Sequence, residues 1–170
     1  MNEQTTRQLD DLGELTRAFD DRSIDYTLFG GWAVDFYVGS VTRAHDDVDL
    51  AVWQVDHTRI DQMLTAAGWR HAPHPDDDGG TGYERNGVRV ELTFLVTDGP
   101  DVLLPLHRGS IVWPYEHHGD VRELCGVRAR LVSRSSLVAG KSFQRDDPHE
   151  RAKDRADLAA LRQTQPGSHV

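Results

Sequence analysis

Two aspartates separated by one residue, Asp47 and Asp49, have the residue type and the spacing of a metal site. They begin the segment 47–53, in which acidic and apolar residues at first alternate, and this period of two predicts a β-strand. Residues i and i+2 of a strand project to the same side, so both carboxylates can offer oxygens to one Mg²⁺ ion. Two carboxylates on one face repel each other and need a cation or a solvated edge to be tolerated.

A glycine pair, Gly30 and Gly31, lies between two apolar segments upstream of the aspartates. Segment 24–29 is rich in β-forming residues, and segment 32–38 is apolar, so the pattern predicts a strand, a glycine turn and a helix. Glycines let the backbone approach phosphates, and the amides where the helix starts, at Trp32, offer donors and a partial positive charge. The alternative is a turn that only permits unusual backbone angles.

A third carboxylate, Glu91, lies in the middle of the strictly alternating segment 87–96, which predicts another strand. Glu91 can serve as a further metal ligand or as the base that takes a proton from an attacking hydroxyl. The sequence leaves these two roles open, and the alternative is a glutamate that faces water at a sheet edge. Glu84 and Asp98 are weaker candidates, because their segments resemble a loop and a strand end.

Two longer motifs surround these residues. The first is GGWAVD at 30–35, and the second is TRAHDDVDL at 42–50. Together they resemble the signature of the antibiotic nucleotidyltransferases that modify lincosamides and aminoglycosides, which are small members of the polymerase-β-like superfamily. The resemblance is strong over 28–53 and extends more weakly to residue 96. It implies the polymerase-β-like nucleotidyltransferase fold and the Mg²⁺-dependent transfer of AMP from ATP to a hydroxyl group, with release of pyrophosphate.

The resemblance also assigns roles to the three acidic residues and the glycine pair. It implies that Asp47 and Asp49 are metal ligands and that Gly30 and Gly31 bind the nucleotide triphosphate. Glu91 matches the third acidic position of the family, which often serves as the general base. The implied partners are therefore ATP and a small-molecule acceptor.

Three basic or ionisable residues also match positions of the family. Arg43 and His45 belong to the second motif and are candidates for contacting the phosphates, and the alternative is that they are loop residues that orient the first aspartate. Lys141 is a candidate for reaching the triphosphate, against the alternative of a solvated surface lysine. Lys153 and Asp157 are expected to form an i,i+4 helix pair.

The elements needed to position these residues predict an α/β fold with a mixed, twisted sheet flanked by helices. We expect one domain over 1–163, with the C-terminal helices from about residue 134 as an appendage and a disordered tail at 164–170. The other predicted helices and strands follow from apolar periodicity and capping residues. They are a helix over 5–21, a helix that ends at Gly68, a loop over 74–82, loops with short strands over 97–126, a strand over 128–132, a helix capped by Ser133 and a last helix that starts at Asp147-Pro148 and ends near Arg162.

Charge and composition limit the partners. The net charge is −9, and the 19 basic residues are scattered among 28 acidic ones, so we expect no duplex nucleic-acid partner and find a cationic acceptor better suited. The single cysteine, Cys125, excludes an internal disulfide. No apolar run approaches the roughly 20 residues that a membrane span needs, so we expect a cytoplasmic protein, monomeric or homodimeric.

Two alternative functions remain open from the sequence. One is a nucleotidyltransferase toxin of a toxin–antitoxin pair, and the other is a non-catalytic nucleotide-binding module that retains the fold. The histidines lack the spacing of a closed zinc site. Trp113, Tyr115 and the pair His117-His118 are candidates for lining a substrate loop.

Overall fold

The structure is a computed structural model that describes residues 1–117, 119–143 and 145–164. Of the predicted tail, only Thr164 falls within the described residues. The helices are α1 (Glu3–Asp21), α2 (Gly30–Val38), α3 (His57–Ala66), α4 (Arg134–Lys141) and α5 (Pro148–Gln163). The strands are β1 (Tyr26–Phe29), β2 (Val48–Trp53), β3 (Arg70–His71), β4 (Gly80–Arg85), β5 (Val88–Asp98), β6 (Asp101–Leu106), β7 (Gly109–Val112), β8 (Val121–Leu124) and β9 (Val127–Arg130).

The central sheet has the strand order β1-β2-β5-β4-β3, and β6 and β7 continue from the far end of β5. Strands β2 and β5 pair in parallel, whereas β1, β4 and β6 pair antiparallel with their neighbours. A separate hairpin of β8 and β9 contacts α1 and β1. The predicted α/β fold with a mixed sheet flanked by helices is therefore confirmed.

The core forms where the periodicity of the sequence predicts it. The apolar stripe of α1 is buried, and its first turn is capped by the Asn2 side chain, which accepts a hydrogen bond from the Thr5 amide. In β5 the apolar residues are buried, while the residues between them, Glu91 among them, are only half-buried. Alternation thus turns the Glu91 side chain to the opposite face of the sheet from the core residues of its own strand.

The two C-terminal helices begin at the predicted caps. The Ser133 side chain accepts a hydrogen bond from the Ser136 amide at the start of α4. The Asp147 side chain accepts hydrogen bonds from the first amides of α5, and Pro148 is the first helical residue. Helix α5 then packs against α2 and α4, next to the carboxyl-bearing face of the sheet.

Two predicted boundaries are wrong, and glycines explain both. No separate turn precedes α2, because β1 ends at Phe29 and α2 begins at Gly30, whose positive φ of 70° lets the chain change direction at this one residue. The predicted loop over 74–82 ends early, because β4 already starts at Gly80. A Cβ on Gly80 would lie less than 3.0 Å from the backbone oxygen of Leu92, so only glycine lets the two strands approach here. Among the described helices, none combines the length and the apolar character needed to cross a membrane.

Candidate active site

A cleft of about 400 Å³ opens between the start of α2, the loop before β2, the middle of β5 and the two C-terminal helices. Seven of the predicted site residues line it. They are Gly30, Gly31, Arg43, His45, Asp47, Asp49 and Lys141. The fold therefore brings together residues that are more than 100 positions apart in the sequence.

The parallel pairing of β2 and β5 sets Glu91 beside Asp49, although Glu91, unlike the two aspartates, does not line the cleft. Asp49 lies opposite Glu91 in the register, and Asp47 precedes β2 by one residue. Burial raises the pKa of Asp49 to about 8, and the negative charges of Asp47 and Glu91 add to this shift. Burial also raises the pKa of Asp47. The floor of the cleft is thus a concentration of negative charge that a cation would relieve.

Asp47 and Asp49 are the part of this cluster that is open to a ligand. Within the described part of the chain, neither side chain forms a hydrogen bond or an ion pair with the protein, although both line the cleft. No three His, Cys, Asp or Glu side chains of that part lie close enough together to hold a metal ion by themselves. Two carboxylates fit the hard oxygen ligands that Mg²⁺ prefers, so Asp47 and Asp49 are the residues that would hold such an ion.

Glu91 differs from the two aspartates because it has a protein partner. Its Oε1 accepts a hydrogen bond from Arg89 Nε, and the same guanidinium also donates to Glu84 Oε1 at 3.0 Å. Burial raises the pKa of Glu91, and Arg89 opposes that shift. Glu84, the weaker candidate, is additionally bound by Arg70 on the neighbouring strand, so it belongs to the surface of the β3–β4 pair.

The glycine pair sits directly against the polar groups of the cleft. A Cβ on Gly30 would lie less than 3.0 Å from Asp49 Oδ2, and one on Gly31 would come equally close to the rings and guanidinium of His45 and Arg43. No side chain caps the first turn of α2. The start of this helix therefore faces the carboxylates with bare backbone, which is the arrangement that phosphate recognition requires.

This geometry predicts the effect of a methyl group at Gly30. Gly30→Ala combines left-handed backbone strain with a clash against Asp49. We therefore expect the nucleotidyltransferase activity that the resemblance implies to fall at least about 100-fold. Gly68→Ala is the matched control, because Gly68 has a φ of 84° with nothing within 4 Å of its added Cβ. The control should lose about 1–2 kcal/mol of stability in urea unfolding and keep its activity. Equal activity loss in both variants would contradict a role for the Gly30 approach.

Asp35 explains why the two motifs occur together. It accepts hydrogen bonds from the amide and the hydroxyl of Thr42, at 3.0 and 2.6 Å, and its Oδ2 lies 2.6 Å from His45 Nε2. The His45 ring contacts Trp32, whose side chain is buried in the core while its backbone lies in the first turn of α2. This buried network ties the loop before Asp47 to α2 and so fixes the position of the aspartates.

Arg43 and Lys141 share the carboxylate of Asp157, for which the sequence predicted a different partner. Arg43 donates to both oxygens of Asp157, and Lys141 Nζ lies 2.9 Å from Asp157 Oδ2 and 3.1 Å from Asp154 Oδ1. The expected pair of Lys153 with Asp157 is therefore wrong. Lys153 instead contacts Asp46 and a glutamate of its own helix.

The acidic residues of α5 form a pattern in the sequence. Glu150, Asp154 and Asp157 are spaced i, i+4 and i+7, which places three carboxylates on one face of α5. They contact four cations that line the cleft, among them Arg145, whose Nε lies 3.0 Å from Asp154 Oδ2. A helix face of this kind usually faces solvent, so the spacing alone does not point to the cleft.

The candidates for a substrate loop are divided by the structure. Tyr115 lines the cleft, and Trp113 packs behind it at a ring distance of 4.9 Å. His117 does not line the cleft, and it contacts Thr27 and Asp25. His118 lies outside the described residues.

Comparison with known proteins identifies the family. The model of the aminoglycoside-2''-adenylyltransferase family matches residues 11–161, which is most of the chain. The chain belongs to this family. The resemblance seen in the two motifs is thereby confirmed.

Curated relatives of this family align with part of the chain. A 2''-aminoglycoside nucleotidyltransferase from Klebsiella pneumoniae is 34% identical over 65 residues, which cover 38% of this chain and 37% of that protein. One from Escherichia coli is 42% identical over 45 residues, or 26% of this chain and 25% of that protein. The chain thus aligns with 37% and 25% of the length of these two relatives.

Solved structures of antibiotic nucleotidyltransferases have the same fold. The lincomycin-bound lincosamide adenylyltransferase LnuA superposes with a TM-score of 0.70 at 16% identity, over 90% of this chain and 95% of that one. ANT(2'')-Ia in complex with adenylyl-2''-tobramycin gives 0.66 at 19% identity, over 91% and 90%. The fold implied by the resemblance is therefore confirmed across nearly the whole chain.

Proposed function

We propose that this protein is a Mg²⁺-dependent adenylyltransferase that moves AMP from ATP to a hydroxyl of an aminoglycoside or lincosamide antibiotic. The observation that carries the proposal is the pair Asp47 and Asp49, two cleft carboxylates that lack a partner among the described residues and are set against the bare backbone of Gly30. Membership of the aminoglycoside-2''-adenylyltransferase family supports the same activity. The cytoplasm, which supplies ATP, is the compartment that this activity implies.

The side chains of the cleft have distinct tasks in this proposal. Asp47 and Asp49 would hold Mg²⁺, which when bound neutralises charge on the triphosphate and polarises its α-phosphoryl group. The backbone of Gly30 and Gly31 would contact the phosphates from the start of α2, and Lys141 would face them from α4. The chain thus holds the α-phosphorus in line with an incoming hydroxyl, and this positioning is its main contribution to the rate.

Glu91 is the proposed general base. Its Oε1 is bound to Arg89, which orients the carboxylate, and burial raises its pKa toward the range in which a carboxylate accepts protons more readily. As the acceptor oxygen bonds to the α-phosphorus, its proton passes to Glu91. The bond between the α-phosphorus and the bridging oxygen breaks at the same time, and pyrophosphate leaves with that oxygen.

The acceptor is proposed from charge and from the names of the relatives. Aminoglycosides carry several ammonium groups, which suit a chain with a net charge of −9 and an acidic cleft floor. The curated relatives are named as 2''-aminoglycoside nucleotidyltransferases, and the lincomycin-bound LnuA keeps lincosamides as the second class. Tyr115 lines the cleft, and it is the proposed aromatic contact for the acceptor or for the adenine ring of ATP.

The proposal is tested by pyrophosphate release with Mg-ATP across a panel of aminoglycosides and lincosamides, with mass spectrometry of the antibiotic. We expect pyrophosphate release that depends on one antibiotic class and an antibiotic that gains one adenylyl group. A non-catalytic module would bind Mg-ATP and release no pyrophosphate with any acceptor. A toxin would arrest growth on expression and leave the antibiotics unmodified.

A further inference from the structure

The face of α5 that carries Asp154 and Asp157 holds the cations of the cleft in place. The Asp157 side chain is fully buried, and it contacts cations from two different parts of the chain. Arg43 approaches through Nε and Nη2, at 2.8 and 3.0 Å, and Lys141 through Nζ at 2.9 Å. Asp157 therefore connects α5 both to α4 and to the loop that precedes β2.

This carboxylate stays charged in the folded protein. Burial alone would raise the pKa of Asp157, but hydrogen bonds from Arg43 and Lys141 outweigh it and hold the pKa below its usual range. Asp157 thus pairs with both cations at once, and Asp154 provides Lys141 with a second carboxylate. The Lys141 side chain is only 10% exposed, so its ammonium group has little freedom to turn elsewhere.

Lys141 also lies within electrostatic reach of Asp49, whose pKa its charge lowers. A flexible lysine in that position would be drawn toward Asp49 and would neutralise the carboxylate that the metal ion needs. Two contacts from α5, with Asp154 and Asp157, hold the ammonium group away from it. The two hydrogen bonds from Arg43 to Asp157 fix the guanidinium in the same way. They hold its Nη2 next to Gly31, where a Cβ would clash with it.

We propose that Asp157, assisted by Asp154, is a positioning residue that aims Arg43 and Lys141 together at the β- and γ-phosphates of the nucleotide. This inference rests on the proposed function, because it concerns the same cleft. It assigns to the C-terminal helix α5 a role different from the metal binding proposed for Asp47 and Asp49. The role is selective, since it concerns the two phosphates that ATP has and AMP lacks.

The test compares Asp157→Asn with the wild-type protein by calorimetry, using a non-hydrolysable ATP analogue with Mg²⁺ and, separately, AMP. We expect the affinity for the analogue to fall roughly 10- to 100-fold, because the cations lose their charged anchor, and the affinity for AMP to change by less than about threefold. In steady-state assays the KM for ATP should rise while the KM for the antibiotic stays. Equal losses for the analogue and AMP, or no loss for either, would overturn the proposal.

Asp11→Asn is the matched control, because Asp11 forms a similarly enclosed ion pair with Arg85 far from the cleft. It should leave the affinities for the analogue and for AMP unchanged.

If Asp157→Asn does not fold, Asp154→Asn replaces it in the test, since this substitution removes one partner of Lys141 and leaves the pair of Arg43 with Asp157 intact. Asp154→Asn must then show the same selective loss of affinity for the analogue, at smaller size. A wild-type protein that binds no analogue would contradict the proposed function and this inference with it, whereas an active wild type with an unaffected Asp157→Asn contradicts the inference alone.

Discussion

Asp49→Asn is expected to abolish adenylyl transfer and, at the same time, to stabilise the metal-free protein. The activity should fall roughly 10³-fold or more, because a neutral amide cannot replace a carboxylate as a ligand of the metal ion. Stability should rise because the substitution removes a carboxyl that is buried beside Asp47 and Glu91 and has no hydrogen bond or ion pair within the part of the chain that the structure describes. Opposite signs for activity and stability are typical of a residue kept for function.

The stability gain of Asp49→Asn should depend on pH. Because the pKa of Asp49 in the folded protein is raised to about 8, the folded state keeps a proton that the unfolded chain loses at a lower pH. This proton contributes stability that is fully present below the ordinary pKa of aspartate and is lost as the pH rises to about 8. Asparagine does not titrate, so the variant should exceed the wild type by on the order of 1–3 kcal/mol at pH 8.5 and by less at pH 5.

Urea unfolding in the presence of a chelator measures this difference at both pH values. Asp98→Asn, at an exposed position near the end of β5, is the control and should leave activity and stability unchanged at either pH. An Asp49→Asn variant that is less stable than the wild type at pH 8.5 would show that the carboxylate has a stabilising partner. Retained activity would remove Asp49 from the metal site.

Glu91→Gln is expected to lower kcat about 10²- to 10⁴-fold, because glutamine cannot take the proton from the acceptor hydroxyl. The KM for ATP and the dependence on Mg²⁺ concentration should stay close to those of the wild type. In the wild type, kcat should fall at low pH as Glu91 becomes protonated, and burial, which raises its pKa, moves this fall above the usual range of glutamate. The residual rate of the variant should lack this dependence.

Glu84→Gln is the control for the Glu91 variant, since Glu84 shares Arg89 with it but is held by Arg70 at the β3–β4 pair and does not line the cleft. This control should keep most of the activity and the pH profile. A Glu91→Gln variant whose activity returns at high Mg²⁺ concentration would make Glu91 a metal ligand instead of the base.

Local sequence patterns predicted the parts of the site that lie on single elements. The alternation around Asp49 and Glu91 placed each carboxylate on the polar face of its strand, and the register of β2 and β5 then set them side by side. The caps of α4 and α5 were also readable, because a capping residue contacts amides only two or three positions away. These features depend on neighbours in the chain, so the sequence alone contains them.

The contacts between distant elements were not predictable in the same way. Arg43 and Asp157 are 114 residues apart, and nothing near either residue indicates the other. Lys153 and Asp157 have the spacing of a helix pair, yet a buried partner with two hydrogen bonds from a guanidinium competes successfully for Asp157. Similarly, Gly80 reads as a loop residue until the approach of Leu92 shows why a strand needs it.

Binding of Mn²⁺, a paramagnetic substitute for Mg²⁺, tests the metal site most directly when followed by electron paramagnetic resonance with a non-hydrolysable ATP analogue present. We expect one tightly bound ion in the wild-type protein and in Glu91→Gln, and a loss of at least about tenfold in affinity in Asp47→Asn and in Asp49→Asn. Wild-type affinity in both aspartate variants would contradict the assignment of these two carboxylates as the metal ligands.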